Sequence, residues 1–458
     1  MINRRTLTKS LGAAIAISAT GAASAETTDT QRRRHLIRGG AVVTVDKALG
    51  VLPRADVLID NGKIEAVGRD LNARGAKVID ATDMIVMPGF VNTHHHMWSA
   101  IGRNYVADGF PYFAAKRATS TLYEAKDVYR SVLLGLAELA NAGVTTVHNW
   151  SNNTRSPAHA DAELRAHRDG LLRARFSYGH VDQMPRDVPM DLADVDRVRQ
   201  QYFSGGTAFD GLVHLGINLR GLSQSEEPAF FADMEAALQR GLPIAIHAGQ
   251  APPRIVDAAD YERRGWLGPK TLLCHYITAL DSDAQIMART GTPLSWAPHS
   301  EYRLGTGGQK EALLRFLGAG VVVSLSSDAT SIAPSDMFET MRLIPEAGFR
   351  TSLELATING ARALGLGDIT GSITAGKRAD IILVRTNDIN LAPGGLFETT
   401  LVQAATPANV DTVFSDGRIV KRGGRLVAYD VDQIVRDAKT SSLRIRTTAG
   451  GILTPPAG

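Results

Sequence analysis

Eight short apolar segments alternate with helical stretches through the middle of this chain, and this alternation restricts its fold more than any other feature. The segments predicted as strands are 84–91, 144–150, 173–179, 212–219, 243–248, 271–276, 293–297 and 321–327. The predicted intervening helices include 125–142, 160–174, 228–241, 282–290 and 310–318. Strands joined by crossover helices pair in parallel, and eight such units close into a barrel. The spacing therefore predicts an α/β fold with a (β/α)8 TIM-type barrel at residues 87–365.

Two further groups of short strands flank the barrel segment. The turn Asn61-Gly62 joins two strands of the first group, and Asp416-Gly417 joins two strands of the second. Asn-Gly and Asp-Gly between apolar runs are strong hairpin signals. Neither group is large enough to form a robust core alone. We therefore expect 34–86 and 366–430 to combine into one small β-sandwich domain, followed by a C-terminal tail at 431–458.

The first residues have the order of parts that is typical of an export signal. Arg4-Arg5 precedes an apolar run over 11–19, and the small-x-small sequence Ala23-Ser24-Ala25 follows it. The arginine pair resembles that of a twin-arginine signal, and the apolar run is too short for a stable membrane span. We expect residues 1–25 to be a signal peptide and the mature protein to be periplasmic or secreted. A disordered N-terminal tail is the alternative.

Composition excludes several other classes of protein. The net charge is +3 over 458 residues and no long block of one charge occurs, so nothing indicates a nucleic-acid partner. The single cysteine, Cys274, excludes an intrachain disulfide and a cysteine-based zinc site. The expected partner is a small-molecule substrate, and a homo-oligomer stays open.

Polar residues that end the predicted strands are the first candidates for chemistry, because barrel enzymes place their active sites at the C-terminal ends of the strands. His94 and His96 end the first strand two positions apart, so both side chains point the same way. His247 and His275 end the fifth and sixth strands, and Asp328 follows the eighth. Imidazoles and a carboxylate that converge on one point match a divalent transition metal such as Zn²⁺, or Fe²⁺.

The segment 88–96, Pro-Gly-Phe-Val-Asn-Thr-His-His-His, resembles the first-strand motif of the amidohydrolase superfamily. Within that superfamily it is most similar to the branch of cytosine deaminases and s-triazine chlorohydrolases. Four later segments extend the resemblance, in order, over nearly the whole mature chain: 324–328, 336–342, 356–365 and 371–380. A His-x-His pair alone is a weak signal, whereas this ordered series is strong.

The resemblance implies a role for each polar residue of the set. The metal ligands would be His94, His96, His247 and Asp328. His275 would polarise the substrate or hydrogen-bond the attacking water, and Asp328 would also take a proton from that water. Relatives with two metals carry a carboxylated lysine on the fourth strand. Residues 214–220 contain no lysine, so one metal ion is expected.

The chain departs from that branch at Gln250. The branch usually carries a glutamate there, three residues after the fifth-strand histidine, as a proton shuttle. Glutamine forms hydrogen bonds but does not exchange protons as a general acid or base, and some imidazolonepropionases have glutamine at this offset. We expect a metal-dependent hydrolase that uses metal-activated water on a non-peptide C–N bond of a cyclic amide, amidine or substituted heterocycle. The alternatives are an aminoheterocycle deaminase or dechlorinase, and a noncatalytic metal-dependent binding protein.

Several polar and aromatic residues near strand ends are candidates for contact with the substrate. They are Gln250, His275, His299, His148 and Trp98. For His148 an ordinary hydrogen-bonded role is an equal alternative, and for Trp98 packing in the core or at the rim is the default. His299 follows the seventh strand, where the family usually touches its substrate. His95 lies between two ligands and is expected to point away from them.

Overall fold

The computed structural model describes residues 32–106, 111–206, 208–249, 256–306 and 309–454. The signal peptide predicted at 1–25 lies outside these residues, and so does Gln250. None of the helices that the structure describes has the length and apolar character needed to cross a bilayer.

The strands of the described residues form two sheets, a mixed sheet from both chain ends and a parallel barrel between them. The mixed sheet contains β1 (His35–Val43), β2 (Val51–Asp60), β3 (Lys63–Gly68), β4 (Lys77–Asp80) and β5 (Met84–Pro88). The barrel contains β6 (Phe90–His95), β7 (Val144–Ser151), β8 (Arg173–Tyr178), β9 (Val213–Leu219), β10 (Ile244–His247), β11 (Thr271–Cys274), β12 (Leu294–Trp296) and β13 (Val323–Leu325). The mixed sheet is completed by β14 (Ile381–Arg385), β15 (Val410–Ser415), β16 (Arg418–Arg422) and β17 (Arg425–Leu426).

The α-helices lie between and after the barrel strands. The first seven are α1 (Tyr112–Thr119), α2 (Ala125–Asn141), α3 (Pro157–Gly170), α4 (Ala193–Val198), α5 (Glu227–Gln239), α6 (Ala258–Arg263) and α7 (Asp281–Thr290). The others are α8 (Pro298–Arg303), α9 (Gln309–Ala319), α10 (Met337–Arg342), α11 (Phe349–Ala356), α12 (Ile358–Ala363), α13 (Phe397–Gln403) and α14 (Val431–Thr448). Short 3₁₀ turns occur at Met97–Gly102, Ser120–Leu122, Pro345–Ala347 and Pro407–Asn409, and a π turn extends α4 over Arg199–Phe203.

The eight barrel strands pair in sequence order and all in parallel, from β6 to β13. The ring closes where His95 pairs with Asp328 in an isolated parallel bridge. The side chain of Asn92 joins the same two ends of the barrel, since its Nδ2 donates to Ser327 Oγ at 2.6 Å. The predicted barrel is therefore confirmed.

The mixed sheet confirms that both chain ends build one small domain. Its strand order is β17-β16-β15-β14-β5-β1-β2-β3, with β4 beside β1. The two halves meet where β14 pairs antiparallel with β5, at Ile382 and Met87. All nine strands belong to one continuous hydrogen-bonded sheet, which has its own buried apolar core.

The segment 84–91, predicted as a single barrel strand, is two strands. Gly89 separates β5 in the mixed sheet from β6 in the barrel. A Cβ atom at position 89 would lie only 2.2 Å from Thr145 Oγ1, so a side chain does not fit where the chain passes between the sheets. The prediction of one strand was wrong because both strands are apolar and buried, and this pattern outweighed the local turn signal of Pro88-Gly89.

The segment predicted as a C-terminal tail contains the 18-residue helix α14. Its buried residues recur at helical spacing, at Ile434, Ala438, Ser441 and Ile445. The helix lies against α2, where Arg130 bonds to Ser441 Oγ at 3.1 Å. The sequence analysis missed this helix because few of its residues are apolar.

A buried ion network joins the barrel to the small domain. Arg173 begins β8, and its guanidinium bonds to Asp380 Oδ2 at 2.7 Å and Asp416 Oδ1 at 2.9 Å. All three residues are almost fully buried. Asp416 also accepts from Arg32 Nε at 2.8 Å. The charges compensate one another across the interface, which makes this burial tolerable.

Candidate metal centre

Four side chains from the ends of two barrel strands and the segment after the last strand meet at one point in the mouth of the barrel. They are His94 of β6 and His96 directly after it, His247 of β10, and Asp328, three residues after β13. The ligand atoms of the three histidines lie within 4.8 Å of one another. Asp328 Oδ1 lies 3.3 Å from His94 Nε2 and 3.4 Å from His96 Nε2. The site therefore offers three imidazoles and one carboxylate, a donor set that would suit Zn²⁺.

Main-chain hydrogen bonds at the barrel closure fix Asp328 relative to His94 and His96. The amide of Asp328 donates to the carbonyl of His94 at 3.0 Å, and the amide of His96 donates to the carbonyl of Asp328 at 2.7 Å. The spacing of three ligands thus depends on backbone geometry rather than on flexible side chains alone.

Burial and neighbouring charges set the protonation states that a metal site requires. Burial is the main cause that lowers the pKa of His94 and His247 well below the usual value, and it lowers the pKa of His96 to about 4. Burial alone would raise the pKa of Asp328, but hydrogen bonding to His94 and the nearby imidazoles hold it well below its usual value. Neutral imidazoles and an ionised carboxylate are the forms that bind metals.

Asn152 fixes the tautomer of His96. Its Oδ1 lies 2.7 Å from Trp98 Nε1 and 2.7 Å from His96 Nδ1. An indole nitrogen is only a donor, so the amide oxygen must be the acceptor for both rings. His96 therefore carries its proton on Nδ1 and leaves Nε2 unprotonated toward Asp328, as a ligand nitrogen requires.

His275 enters the site from β11 and is held on its outer side by Glu301 of α8. His275 Nδ1 lies 2.8 Å from Glu301 Oε1, and Trp296 Nε1 donates to Glu301 Oε2 at 2.8 Å. A ring nitrogen of His275 lies within 4.8 Å of ligand atoms of His94 and Asp328. Burial alone would lower the pKa of His275, but the hydrogen bond to Glu301 and its charge raise it above the usual value.

Trp150 forms the aromatic floor of the ligand cluster. Its ring stacks on His247 with centroids 4.1 Å apart and meets the edge of His94 at 4.7 Å. The indole is fully buried at the end of β7. It restricts the rotation of two ligand rings and excludes water from beneath them.

Two residues of the site adopt left-handed backbone conformations. The φ angle is 73° at His275 and 61° at Asp328. Such conformations cost of order 1–3 kcal/mol at residues other than glycine, and they persist where surrounding structure holds them. His275 follows β11 and Asp328 follows β13, and at each residue this backbone conformation directs the side chain into the barrel mouth.

The structure gives the remaining predicted residues different surroundings. Both ring nitrogens of His148 are used inside the barrel, by the Thr93 carbonyl and by Ser177 Oγ, each at 2.8 Å. The ring of His148 thus has no free nitrogen for a substrate, which favours its structural alternative. His299 is buried in α8 with Nδ1 3.8 Å from Glu339 Oε2. Gln250 lies outside the described residues.

Trp98 and His95 both lie behind the ligand cluster. The Trp98 ring is almost fully buried, packs against Tyr123 and acts on the site through Asn152. His95 points away from the ligands, with its nitrogens 3.2 Å from Ser327 Oγ and Thr330 Oγ1.

Sequence analysis did not select Asn152 or Glu301 as site residues. Both are polar residues just after a barrel strand, at the end where barrel sites are built. That position was a usable signal for Asn152, one residue beyond β7, and a weaker one for Glu301, five residues beyond β12.

Comparison with known proteins gives one family and a consistent set of relatives. A model of the amidohydrolase family matches residues 85–420. A 5-methylthioadenosine/S-adenosylhomocysteine deaminase of Desulforudis audaxviator is 28% identical over 444 residues, which cover 90% of this chain and 99% of the relative. A 5'-deoxyadenosine deaminase of Methanothermobacter thermautotrophicus is 29% identical over 431 residues, covering 86% of this chain and 96% of the relative.

Solved structures share the fold at lower sequence identity. An adenosine deaminase from Xanthomonas campestris with bound zinc has a TM-score of 0.79 at 23% identity, covering 91% of this chain and 99% of that one. An atrazine chlorohydrolase from Arthrobacter aurescens TC1 complexed with zinc has a TM-score of 0.76 at 21% identity, covering 89% and 100%. These likenesses extend over both the barrel and the small domain.

Proposed function

Because the chain belongs to the amidohydrolase family, we propose that it is a metal-dependent hydrolase acting on a non-peptide C–N bond. The substrate class is a cyclic amide, an amidine or a substituted heterocycle. One observation carries the proposal: buried imidazoles and a carboxylate, from strand ends far apart in sequence, place their ligand atoms within a few ångströms at the barrel mouth. Structural packing does not require such a cluster, since each polar group is costly to bury.

The residues present fit one divalent ion, with Zn²⁺ as the first choice and Fe²⁺ as the alternative. The ligands would be His94, His96, His247 and Asp328. Their nitrogens are the unprotonated, soft-to-borderline donors that these metals prefer over Mg²⁺ or Ca²⁺. An ion bound there supplies Lewis acidity and lowers the pKa of a water molecule toward neutrality.

Two residues of the chain are placed to move protons during hydrolysis. Asp328 is ionised and buried, so its carboxylate is able to accept a proton from the attacking water. His275 presents its inner ring nitrogen to the same space and is hydrogen-bonded by Glu301 behind it. It is placed to polarise the oxygen or nitrogen of the substrate on which negative charge develops.

A second candidate function is deamination of an aminoheterocycle. Relatives that match nearly the whole chain are deaminases of 5-methylthioadenosine, S-adenosylhomocysteine and 5'-deoxyadenosine. The difference is Gln250, which stands where this branch usually carries a glutamate and is unable to shuttle a proton to a leaving amine. Dechlorination is the related alternative, because the chlorohydrolase shares the fold.

Product analysis on purified, metal-loaded protein tests the proposal and separates its alternatives. The panel contains cyclic amides, cyclic amidines, aminopurines, aminopyrimidines and chlorotriazines. Ring opening adds one water to the mass without release of a small product, whereas deamination releases ammonia and dechlorination releases chloride. We expect turnover of the cyclic amides and cyclic amidines, detected as ring opening. Metal-loaded protein that turns over nothing while binding a member of the panel would support the noncatalytic alternative.

Metal content provides a second test that needs no substrate. We expect the protein to bind one ion per chain and His247→Asn to lose it. The matched control is His214→Asn, which changes a histidine of the neighbouring strand β9 that is not part of the ligand cluster. The assignment of the ligands is refuted if both variants retain the ion equally, as measured by mass spectrometry of the metal after dialysis.

We also propose that residues 1–25 direct export through the twin-arginine route. The support is the order of the arginine pair, the apolar run and the small-residue cleavage motif. Replacement of Arg4 and Arg5 by lysine is expected to leave the protein in the cytoplasmic fraction. Unchanged fractionation of that variant would contradict the proposal.

A further inference from the structure

We propose that Glu301 is the positioning residue of His275. Its carboxylate holds the imidazole in one orientation and in the tautomer that carries the proton on Nδ1, so that Nε2 faces the barrel axis. The inference about orientation stands on geometry alone. Only its kinetic consequence rests on the proposed function.

The carboxylate of Glu301 has both oxygens committed to ring nitrogens. Oε1 lies 2.8 Å from His275 Nδ1, and Oε2 accepts from Trp296 Nε1 at 2.8 Å. Because the indole nitrogen is only a donor, its bond fixes one oxygen and orients the plane of the carboxylate. The other oxygen is then directed at His275, where a carboxylate accepts the Nδ1 proton.

The backbone around this pair is held firmly enough to keep that geometry. The amide of Glu301 donates to the Ala297 carbonyl at 3.1 Å, and its own carbonyl accepts from the amide of Thr306 at 3.0 Å. On the other side, the amide of His275 donates to the Ser295 carbonyl of β12 at 2.9 Å. His275 is thus tied to β12, on which Trp296 lies, and Glu301 is tied to Ala297 directly after it.

The burial of Glu301 requires an explanation that packing does not provide. Its side chain has no exposed surface, and a carboxylate in such a place costs several kcal/mol unless it is bonded. A leucine or methionine would fill the same space without that cost. Glu301 accepts from one fixed donor, Trp296, and its remaining oxygen serves only His275 among the bonds described. The orientation of the His275 ring, which faces the metal ligands, therefore explains why the cost of burying the Glu301 carboxylate is accepted.

Control over the ring matters because a neutral imidazole has two tautomers. With Nδ1 protonated, the inner nitrogen is an acceptor until the ring takes a second proton, and then becomes a donor; with Nε2 protonated, it is always a donor. A ring that is free to flip would present carbon rather than nitrogen to the substrate for part of the time. Glu301 prevents both the change of tautomer and the flip of the ring.

The experiment observes the tautomer directly in the full chain loaded with Zn²⁺. The protein is labelled with ¹⁵N at histidine only, and imidazole ¹H–¹⁵N correlations are recorded for the wild type, Glu301→Gln and Glu301→Leu. His275→Gln assigns the signal by removing it. We expect a protonated, slowly exchanging Nδ1 in the wild type and loss of that signal in both variants. In Glu301→Gln the indole of Trp296 takes the amide oxygen, so the amide nitrogen faces His275 and favours the tautomer with the proton on Nε2.

Glu163→Gln is the matched control. Glu163 is equally buried, and its two oxygens accept from Asn149 Nδ2 and Ser151 Oγ on the far side of β7. This change must leave the His275 signal where it is. An unprotonated Nδ1 in the wild type, or a His275 signal that Glu301→Leu does not alter, overturns the proposal. If Glu301→Leu fails to fold, an unshifted signal in Glu301→Gln overturns it equally.

Kinetics add a second readout once a substrate is found. Loss of an outer partner of an active-site histidine typically costs about 10–100-fold in activity. We expect both Glu301→Leu and Glu301→Gln to lose this in kcat with little change in KM, because neither leaves an acceptor that faces His275 Nδ1. An unchanged kcat in Glu301→Gln would contradict positioning by hydrogen bonding. If no substrate is found, the proposed function fails while the tautomer measurement still decides the role of Glu301.

Discussion

Replacement of Asn152 by leucine is expected to weaken metal binding without unfolding the protein. The amide oxygen of Asn152 is the shared acceptor for His96 Nδ1 and Trp98 Nε1, each at 2.7 Å. Leucine has a similar volume but no acceptor. The Asn152→Leu variant therefore tests whether the tautomer of a ligand is set from outside the ligand shell.

The magnitude follows from what happens to the His96 proton in each state. In the metal-bound state Nε2 is a ligand, so the proton must stay on Nδ1, where it is buried without an acceptor. An unsatisfied buried donor costs about 1–3 kcal/mol. The metal-free variant escapes this cost by moving the proton to Nε2, next to Asp328 Oδ1 at 3.4 Å. The cost therefore falls on binding, and 1–3 kcal/mol corresponds to about 5- to 150-fold in affinity.

The assay is a competition titration of Zn²⁺ between the protein and a chromophoric chelator. Trp98→Phe is expected to have a smaller effect because the bond from His96 remains. Asn149→Leu is the matched control, since Asn149 is a buried asparagine of β7, three residues before Asn152, and its bonds go outward to Glu163 and His167. Asn149→Leu should lower the free energy of unfolding but not the affinity for Zn²⁺. The reasoning is refuted if Asn152→Leu binds Zn²⁺ as tightly as the wild type.

Four further outcomes are expected. Asp328→Asn abolishes turnover while circular dichroism stays unchanged; substantial remaining activity would exclude this carboxylate as the base. Gln250→Glu does not create ammonia release from aminopurines, and its appearance would show that only a proton shuttle was missing. Gly89→Ala destabilises the protein by about 1–3 kcal/mol in denaturant unfolding because its Cβ meets the Thr145 side chain, and Thr145→Ala in the same chain recovers part of this. Burial alone would raise the pKa of Asp416, but the surrounding arginines lower it below 3.8. The ionised carboxylate therefore contributes to the free energy of unfolding above that pH, and this contribution is lost below it. The free energies of unfolding of Asp416→Asn and the wild type are expected to differ at pH 7 and to converge in acid.

The fold was predictable because its signals are local. Each barrel strand is a short apolar run, and each hairpin of the small domain carries its own turn, so neither required knowledge of distant contacts. The break at Gly89 was not predictable in this way. Pro88-Gly89 is a local turn signal, but the lack of space for a side chain at position 89 comes from Thr145, which is remote in sequence and becomes a neighbour only in the folded chain.

The candidate ligands could be selected from sequence because each ends or closely follows a predicted strand. The residues that orient them could not, because their role depends on pairs that no spacing rule connects. His96 and Asn152 are 56 positions apart, and His275 and Glu301 are 26 apart. His148 shows that a place at a strand end is not sufficient to identify a site residue. Its position suggested contact with the substrate, but its hydrogen bonds lie within the barrel.

The closure of the barrel at His95 and Asp328 has a consequence for the order of folding. This closure joins residues of the first and last barrel strands, with Asn92 and Ser327 bonded across 235 positions. Contacts of such long range form late, because the entropy of closing the loop is lost before any contact compensates for it. A chain with the ring still open holds His94 and His96 but lacks Asp328 beside them. Metal uptake by this protein is thus expected to report the last step of folding, and a bound ion is expected to slow the first step of unfolding by holding the two ends of the ring together.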